Sequence, residues 1–166
     1  MGTPLKCLEI IFSDLELNFD LQKGSNQKFI DLGAGDGRVV KFVFDRYGIY
    51  CTGIEINDCL VDEAKKQFWN TNPYSDEKKK EIAQRVKLLN ADLFQYSLDS
   101  FDFIYLFPLP TIQKMLKHVV LTAKKGAIFI CYKYKLEELD SILTLVQEER
   151  DNICKYFIYK KKEKNN

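Results

Sequence analysis

The stretch that most constrains the chain is Phe29-Ile-Asp-Leu-Gly-Ala-Gly-Asp-Gly-Arg38, in which an apolar pair runs into Asp31 and then into glycines at 33, 35 and 37. Such a run reads as a buried strand, a tight turn and the first turn of a helix continuing through Val39, Val40, Phe42 and Val43. Glycine takes positive φ without a Cβ clash and leaves bare backbone for a ligand to lie against. A helix starting directly behind the turn is expected to present unpaired N–H groups. The first strand is therefore expected to end in a ligand cradle.

The rest of the chain alternates in the same manner. Leu5, Leu8, Ile11, Phe12 and Leu15 recur at helical spacing behind Thr3-Pro4, predicting a helix from residue 4 to about 17. Strands are expected at 28–32, 49–54, 86–90, 101–107 and 127–132. Helices are expected at 37–47, stopped by Gly48, at 58–71, capped by Asn57 and broken by Asn72-Pro73-Tyr74-Ser75, and through Ile112 to Val120. Residues 76–81 read as a solvated helical face. Ile142–Glu149 and Ile153–Lys160 can pair as a hairpin around Arg150-Asp151-Asn152, although 136–148 can also be read as helix. The polar residues from Lys160 onward are expected to be disordered. This order predicts a doubly wound, mostly parallel α/β sheet with a C-terminal antiparallel hairpin, as one domain over residues 1–160 and a tail over 161–166.

In such sheets ligands lie beyond the carboxyl ends of the strands. That rim collects Asp31, Glu55 and Asp92 from strands one, two and three, and the Phe107-Pro108 corner from strand four. A dinucleotide needs Gly-x-Gly-x-x-Gly around a pyrophosphate, without carboxylates crowding the anion. Here the third glycine comes one residue early, Arg38 occupies the fingerprint position, and Asp31 and Asp36 flank the loop. S-adenosylmethionine carries an ammonium and a sulfonium instead of phosphates, so acidic neighbours favour it. Glu55, eighteen residues past Gly37, is placed to accept from both ribose hydroxyls, with Ile56 against the adenine. Asp92 is placed to accept from the adenine amine, with Leu93 covering the other ring face; a lone acid after a strand is also an ordinary helix cap.

Through Asp31-Leu-Gly-Ala-Gly-Asp-Gly37, Gly53-Ile-Glu-Ile-Asn-Asp58 and Ala91-Asp92-Leu-Phe94 the sequence resembles the class I S-adenosylmethionine-dependent methyltransferases, which have a Rossmann-like fold. More narrowly, Asp31 to Val40, Glu55-Ile-Asn-Asp58, and Leu106 to Leu116 leading into Lys124-Lys-Gly-Ala-Ile-Phe-Ile130 are similar to small archaeal protein-lysine methyltransferases and to the mitochondrial ATP synthase c-subunit lysine methyltransferases. The resemblance covers about residues 28 to 133 and implies S-adenosylmethionine as cofactor and a protein presenting a lysine as partner. Those relatives carry an aromatic-x-Pro-Thr-Pro segment before the first helix; here Thr3-Pro4 stands in its place.

For a lysine acceptor, the candidate catalytic residues are Phe107, as an apolar wall for the lysine stem, and Tyr132, which can hydrogen-bond or stack on the amine; both also read as ordinary core aromatics. His118, the one histidine, lies too far along its helix to act as base, and no metal site is expected. A methyltransferase acting on RNA or a small molecule remains an alternative, although Leu106-Phe-Pro-Leu-Pro110 lacks the polar residue that holds an exocyclic amine. A non-catalytic binding module is a further alternative. The net charge of +1, from 25 basic and 24 acidic residues, offers no broad face for nucleic acid. No apolar run approaches membrane-span length, and the five cysteines lack Cys-x-x-Cys pairing and read as small core residues. A cytoplasmic enzyme is expected.

Overall fold

The computed structural model describes residues 2–70, 74–150 and 153–163, with 69 and 70 as backbone only. In chain order the elements are α1 (Leu5–Asn18), β1 (Lys28–Leu32), α2 (Arg38–Tyr47), β2 (Tyr50–Glu55), α3 (Asp58–Asn70), α4 (Asp76–Arg85), β3 (Val86–Asn90), β4 (Phe103–Leu106), α5 (Lys117–Thr122), β5 (Ile128–Tyr132), β6 (Leu143–Arg150) and β7 (Lys155–Lys161). The seven strands form one sheet in the order β3-β2-β1-β4-β5-β7-β6. The first five are parallel, and β7 is antiparallel to both β5 and β6. Chain order reverses beside β1, whose neighbours are β2 on one side and β4 on the other, so the crevice opens at the carboxyl end of β1.

Alternation along the strands divides the core in two. Phe29, Phe103, Tyr105, Ile130, Tyr132 and Ile158 face a layer built by α1 to α4, through residues such as Ile11, Phe12, Val40, Phe44, Phe68 and Ile82. Ile30, Leu32, Ile104, Leu106 and Phe129 face Leu116, Val119 and Val120 of the opposite layer. Burial on both faces explains the unbroken apolar runs of β4 and β5. Each such side chain contributes about 1.5–3 kcal/mol. Gly48 ends α2 in the left-handed region, φ 62°, and the Asn57 side chain accepts from the Cys59 and Leu60 amides at the start of α3, both as expected.

Three expectations are corrected. The helix through Ile112 to Val120 is interrupted: Gln113–Met115 is a 3₁₀ turn and α5 is short. The Gln113 amide donates to the carbonyls of Pro108 and Lys135 at 3.0 and 2.9 Å, pinning the segment to a neighbouring loop, and Thr122 bonds back to the Val119 carbonyl where α5 ends. Strand β7 continues through Lys161, which is buried, because Lys161 N–H donates to Ala127 and its carbonyl accepts from Gly126; residues 164–166 of the expected tail lie outside the described residues. Cys7, Cys51, Cys131 and Cys154 are buried, but Cys59 is exposed in the first turn of α3. The alternative helix over 136–148 is not formed, and the C-terminal segment is the β6–β7 hairpin. The expected break at 72–73 and the turn at 151–152 lie outside the described residues.

Among the described residues no helix is long and apolar enough to cross a membrane.

Candidate active site

The glycine run forms a sharp loop at the carboxyl end of β1, with Gly33, Gly35 and Gly37 all at positive φ. Their roles differ. A Cβ built on Gly33 or Gly35 meets nothing within 4 Å, whereas one on Gly37 would lie 2.8 Å from the Ala64 Cβ of α3. Gly37 thus permits close packing of the loop on α3, and Gly33 and Gly35 leave open space beside the backbone.

That space belongs to a cavity of about 370 Å³ lined by Asp31, Gly33, Gly35, Asp36, Tyr105 and Phe107, with Glu63 from α3 and the N-terminal Gly2 and Thr3. Thr3 Oγ1 and the Tyr105 hydroxyl share a buried hydrogen bond of 2.6 Å, which fastens the N-terminal segment against β4. Arg38, at the fingerprint position, makes a two-pronged contact with Asp36 at 3.0 Å from Nε to each carboxylate oxygen. This hydrogen bonding holds the Asp36 carboxyl below its usual range.

Gly37 brings no side-chain cap to the start of α2, but most amides of the loop before it are engaged within the protein. Gly33 and Ala34 donate to the Ile54 carbonyl at 2.9 and 2.8 Å, Gly37 donates to Ala34, and Arg38 N–H donates to Asp36 Oδ1. Gly35 N–H donates to Glu55 Oε2 at 2.9 Å, while Glu55 Oε1 accepts from Asn57 N–H at 3.0 Å. With these donors engaged, the glycine loop itself offers few amides to a pyrophosphate.

Asp31 is 4% exposed and pairs in register with Tyr105 of β4. Burial first, then the charges of Glu55 and Asp36, push its pKa up to about 8, and among the described residues no hydrogen bond offsets them. A buried carboxyl lining a cavity without a protein donor suits a cationic ligand, whose charge would stabilise the ionised form. The open glycine backbone, this carboxyl and the Glu63 carboxylate therefore fit S-adenosylmethionine, with its ammonium and sulfonium, while Asp36 is paired with Arg38 of the same wall.

The structure gathers Asp31, Gly33, Gly35 and Phe107 on this cavity and ties Glu55 to the loop; Ile56, Asp92 and Leu93 lie along the neighbouring rim, outside its wall. Ile56 is exposed. Both Asp92 oxygens serve the turn that follows, accepting from Phe94 N–H at 2.9 Å and Gln95 Nε2 at 3.2 Å. Tyr132 stands behind Phe107, ring centroids 5.8 Å apart, with its hydroxyl buried 3.9 Å from Cys7 Sγ. Burial pushes that phenol up to about 12, so it stays protonated. His118 meets the Phe94 carbonyl at 2.6 Å, away from the cavity. Sequence reasoning missed Tyr105 and Glu63, and Tyr134 packed 5.5 Å from Phe107; only the alternation of Phe103 and Tyr105 along β4 signalled the first.

No curated protein sequence matches the chain. Among solved structures, an RNA methyltransferase from Salinibacter ruber in complex with S-adenosyl-L-homocysteine superposes at TM-score 0.78 and 21% identity, over 100% of this chain and 97% of that one. A magnesium protoporphyrin IX methyltransferase from Synechocystis with bound SAM gives 0.65 at 15% identity, over 94% and 78%. A SAM-dependent methyltransferase from Thiobacillus denitrificans in complex with S-adenosyl-L-homocysteine gives 0.58 at 18% identity, over 79% and 50%. These likenesses establish the class I methyltransferase fold. The ANTKMT methyltransferase domain model matches residues 31–142, a span that begins at the cradle's own Asp31 and covers well over half of the sequence. The chain therefore belongs to the ANTKMT methyltransferase domain family.

Proposed function

We propose that the protein is an S-adenosylmethionine-dependent methyltransferase whose acceptor is a lysine side chain of another protein. The observation that carries the cofactor reading is the acidic, open glycine cradle ending in a buried carboxyl; the ANTKMT domain match supports a protein acceptor. Bound S-adenosylmethionine supplies the methyl group, activated on its sulfonium for in-line displacement. In this reading Asp31 holds the ammonium, and Gly33 and Gly35 leave room for the ligand against the backbone. Glu55, already oriented by Gly35 and Asn57, offers its remaining lone pairs to the ribose. Ile56, Asp92 and Leu93 flank the adenine end.

Phe107 lines the cavity at the end of β4 and is buttressed by Tyr132 and Tyr134. An aromatic wall there guides the lysine stem and lowers the local polarity. The lysine must arrive neutral, which at pH 7 costs about 4–5 kcal/mol; desolvation against Phe107 offsets part of it. The protein's contribution is chiefly positioning.

Incubating the protein with isotopically labelled S-adenosylmethionine and a cell lysate, followed by mass spectrometry of protein and RNA fractions, tests this assignment. Label on protein lysines is expected; label confined to RNA or small molecules would overturn the acceptor. The Salinibacter relative's action on RNA makes that second fraction the informative control.

A further inference from the structure

A second and larger concavity, about 540 Å³, opens on the same rim of the sheet, between the loop after β4 and the start of β7. Its walls carry Lys114, Lys117, Lys133, Lys135, Arg150 and Lys155, against two carboxylates, Glu137 and Glu138. Arg150 is paired with Glu148 at 3.0 Å; no ion pair engages the five lysines among the described residues. In a chain of net charge +1 this is a strong local concentration of positive charge.

The concavity adjoins the candidate active site through one wall. Phe107 lines the cofactor cavity; Tyr134, 5.5 Å from it, lines the basic groove. Lys133 Nζ sits 5.9 Å from the Phe107 ring and 5.6 Å from Tyr132. Lys133 and Glu138 hold left-handed backbone conformations at φ 65° and 60°, bending the segment around the groove. An acceptor passing its lysine along Phe107 would lay neighbouring residues here.

We propose that this groove binds acidic residues flanking the acceptor lysine, so that the enzyme selects lysines in acidic sequence contexts. The proposal rests on the protein-lysine reading above. Lysines dominate the groove and suit dispersed carboxylates, since each ammonium acts as a separate point charge. The charge is confined to one concavity flanked by Glu137 and Glu138, whereas a nucleic acid tracks an extended basic stripe. Electrostatic docking of this kind acts mainly on encounter and choice of partner.

The test uses fluorescence anisotropy with the full chain and S-adenosylhomocysteine present. The probes are a labelled twelve-residue peptide with one central lysine among alternating glutamates, its glutamine counterpart, and a charge-matched oligouridylate. The acidic peptide is expected to bind at least tenfold more tightly than the neutral one, and to lose that advantage in 0.5 M salt. The same loss is expected in K114E/K117E, both exposed positions whose folding is checked by circular dichroism and unchanged S-adenosylhomocysteine affinity. Equal affinity for the two peptides, insensitivity to the charge reversal, or tighter binding of the oligouridylate would overturn the proposal. Failure here with lysine labelling intact in the lysate would remove the groove assignment alone; label only in RNA would remove both.

Discussion

Replacing Asp31 with asparagine should stabilise the ligand-free protein while weakening its hold on the cofactor. The pKa of Asp31 stands near 8 in the folded chain and at the ordinary value of 3.8 when unfolded. At about 1.4 kcal/mol per pH unit, that gap corresponds to about 6 kcal/mol in favour of the protonated form. A raised carboxyl pKa has one sign: between about pH 4 and pH 8 the folded protein retains a proton that the unfolded chain has released. Stability therefore falls with rising pH across that window, by about 4 kcal/mol at pH 7. Asparagine does not titrate. In urea unfolding at pH 5, 6.5 and 8, the asparagine variant should gain on the wild type with each step, by several kcal/mol overall, while other titrating groups cancel in the difference. A difference that stays constant with pH within about 0.5 kcal/mol would refute the claim that Asp31 is buried, electrostatically opposed and without a donor. A cationic ligand should draw the proton off Asp31. Calorimetry near pH 6.5 in two buffers of different ionisation enthalpy should then show about one proton released per bound S-adenosylmethionine in the wild type and none in the variant.

Other outcomes follow from the loop and the N-terminal segment fastened beside it. Gly37→Ala should cost about 2–4 kcal/mol in chemical unfolding, since it combines left-handed backbone with a 2.8 Å approach to Ala64. Gly35→Ala should cost the fold only about 1–2 kcal/mol while lowering cofactor affinity at least tenfold in calorimetry, because the added methyl occupies open cradle space. Thr3→Val removes the bond to the buried Tyr105 hydroxyl and should cost about 1–3 kcal/mol in thermal unfolding, with faster cofactor release in stopped-flow displacement.

What could be read from the sequence was what depends on local pattern. The alternation of apolar runs with glycine and polar turns placed the five parallel strands and the first helices within a residue or two, because burial on both faces writes itself as an uninterrupted apolar string. The cradle was legible for a similar reason: glycine takes φ 85° at position 33 and φ 55° at position 35 without the steric cost a side chain would add. What stayed hidden depends on partners distant in sequence. Nothing near residues 33 and 34 says that the Ile54 carbonyl takes both their amides. Tyr132 reads as a rim aromatic until β7 and α1 close over it and direct its hydroxyl to Cys7. The interrupted helix at 113–122 depends on a glutamine reaching across to Lys135. The basic groove draws its lysines from three separate stretches of chain, none of which is unusually charged alone.

Glu55 shows how fold and site come to share one interaction. Its two oxygens each accept one backbone N–H, from Gly35 and Asn57, and so join the glycine loop to the start of α3 across the end of β2. Each carboxylate oxygen retains a further lone pair, so an incoming pair of hydroxyls can be accepted without breaking either bond. Fixing a free glutamate would cost up to about 2 kcal/mol of side-chain entropy, a cost already met when the loop folded. A carboxylate held in this way is preoriented for its ligand. Glu55→Ala should then weaken cofactor affinity by about 1–3 kcal/mol and also lower stability, since Gly35 N–H loses its acceptor; Glu55→Gln, which keeps an acceptor oxygen for one amide only, should fall between. If calorimetry and urea unfolding showed affinity falling with stability untouched, the loop would be holding its shape without Glu55.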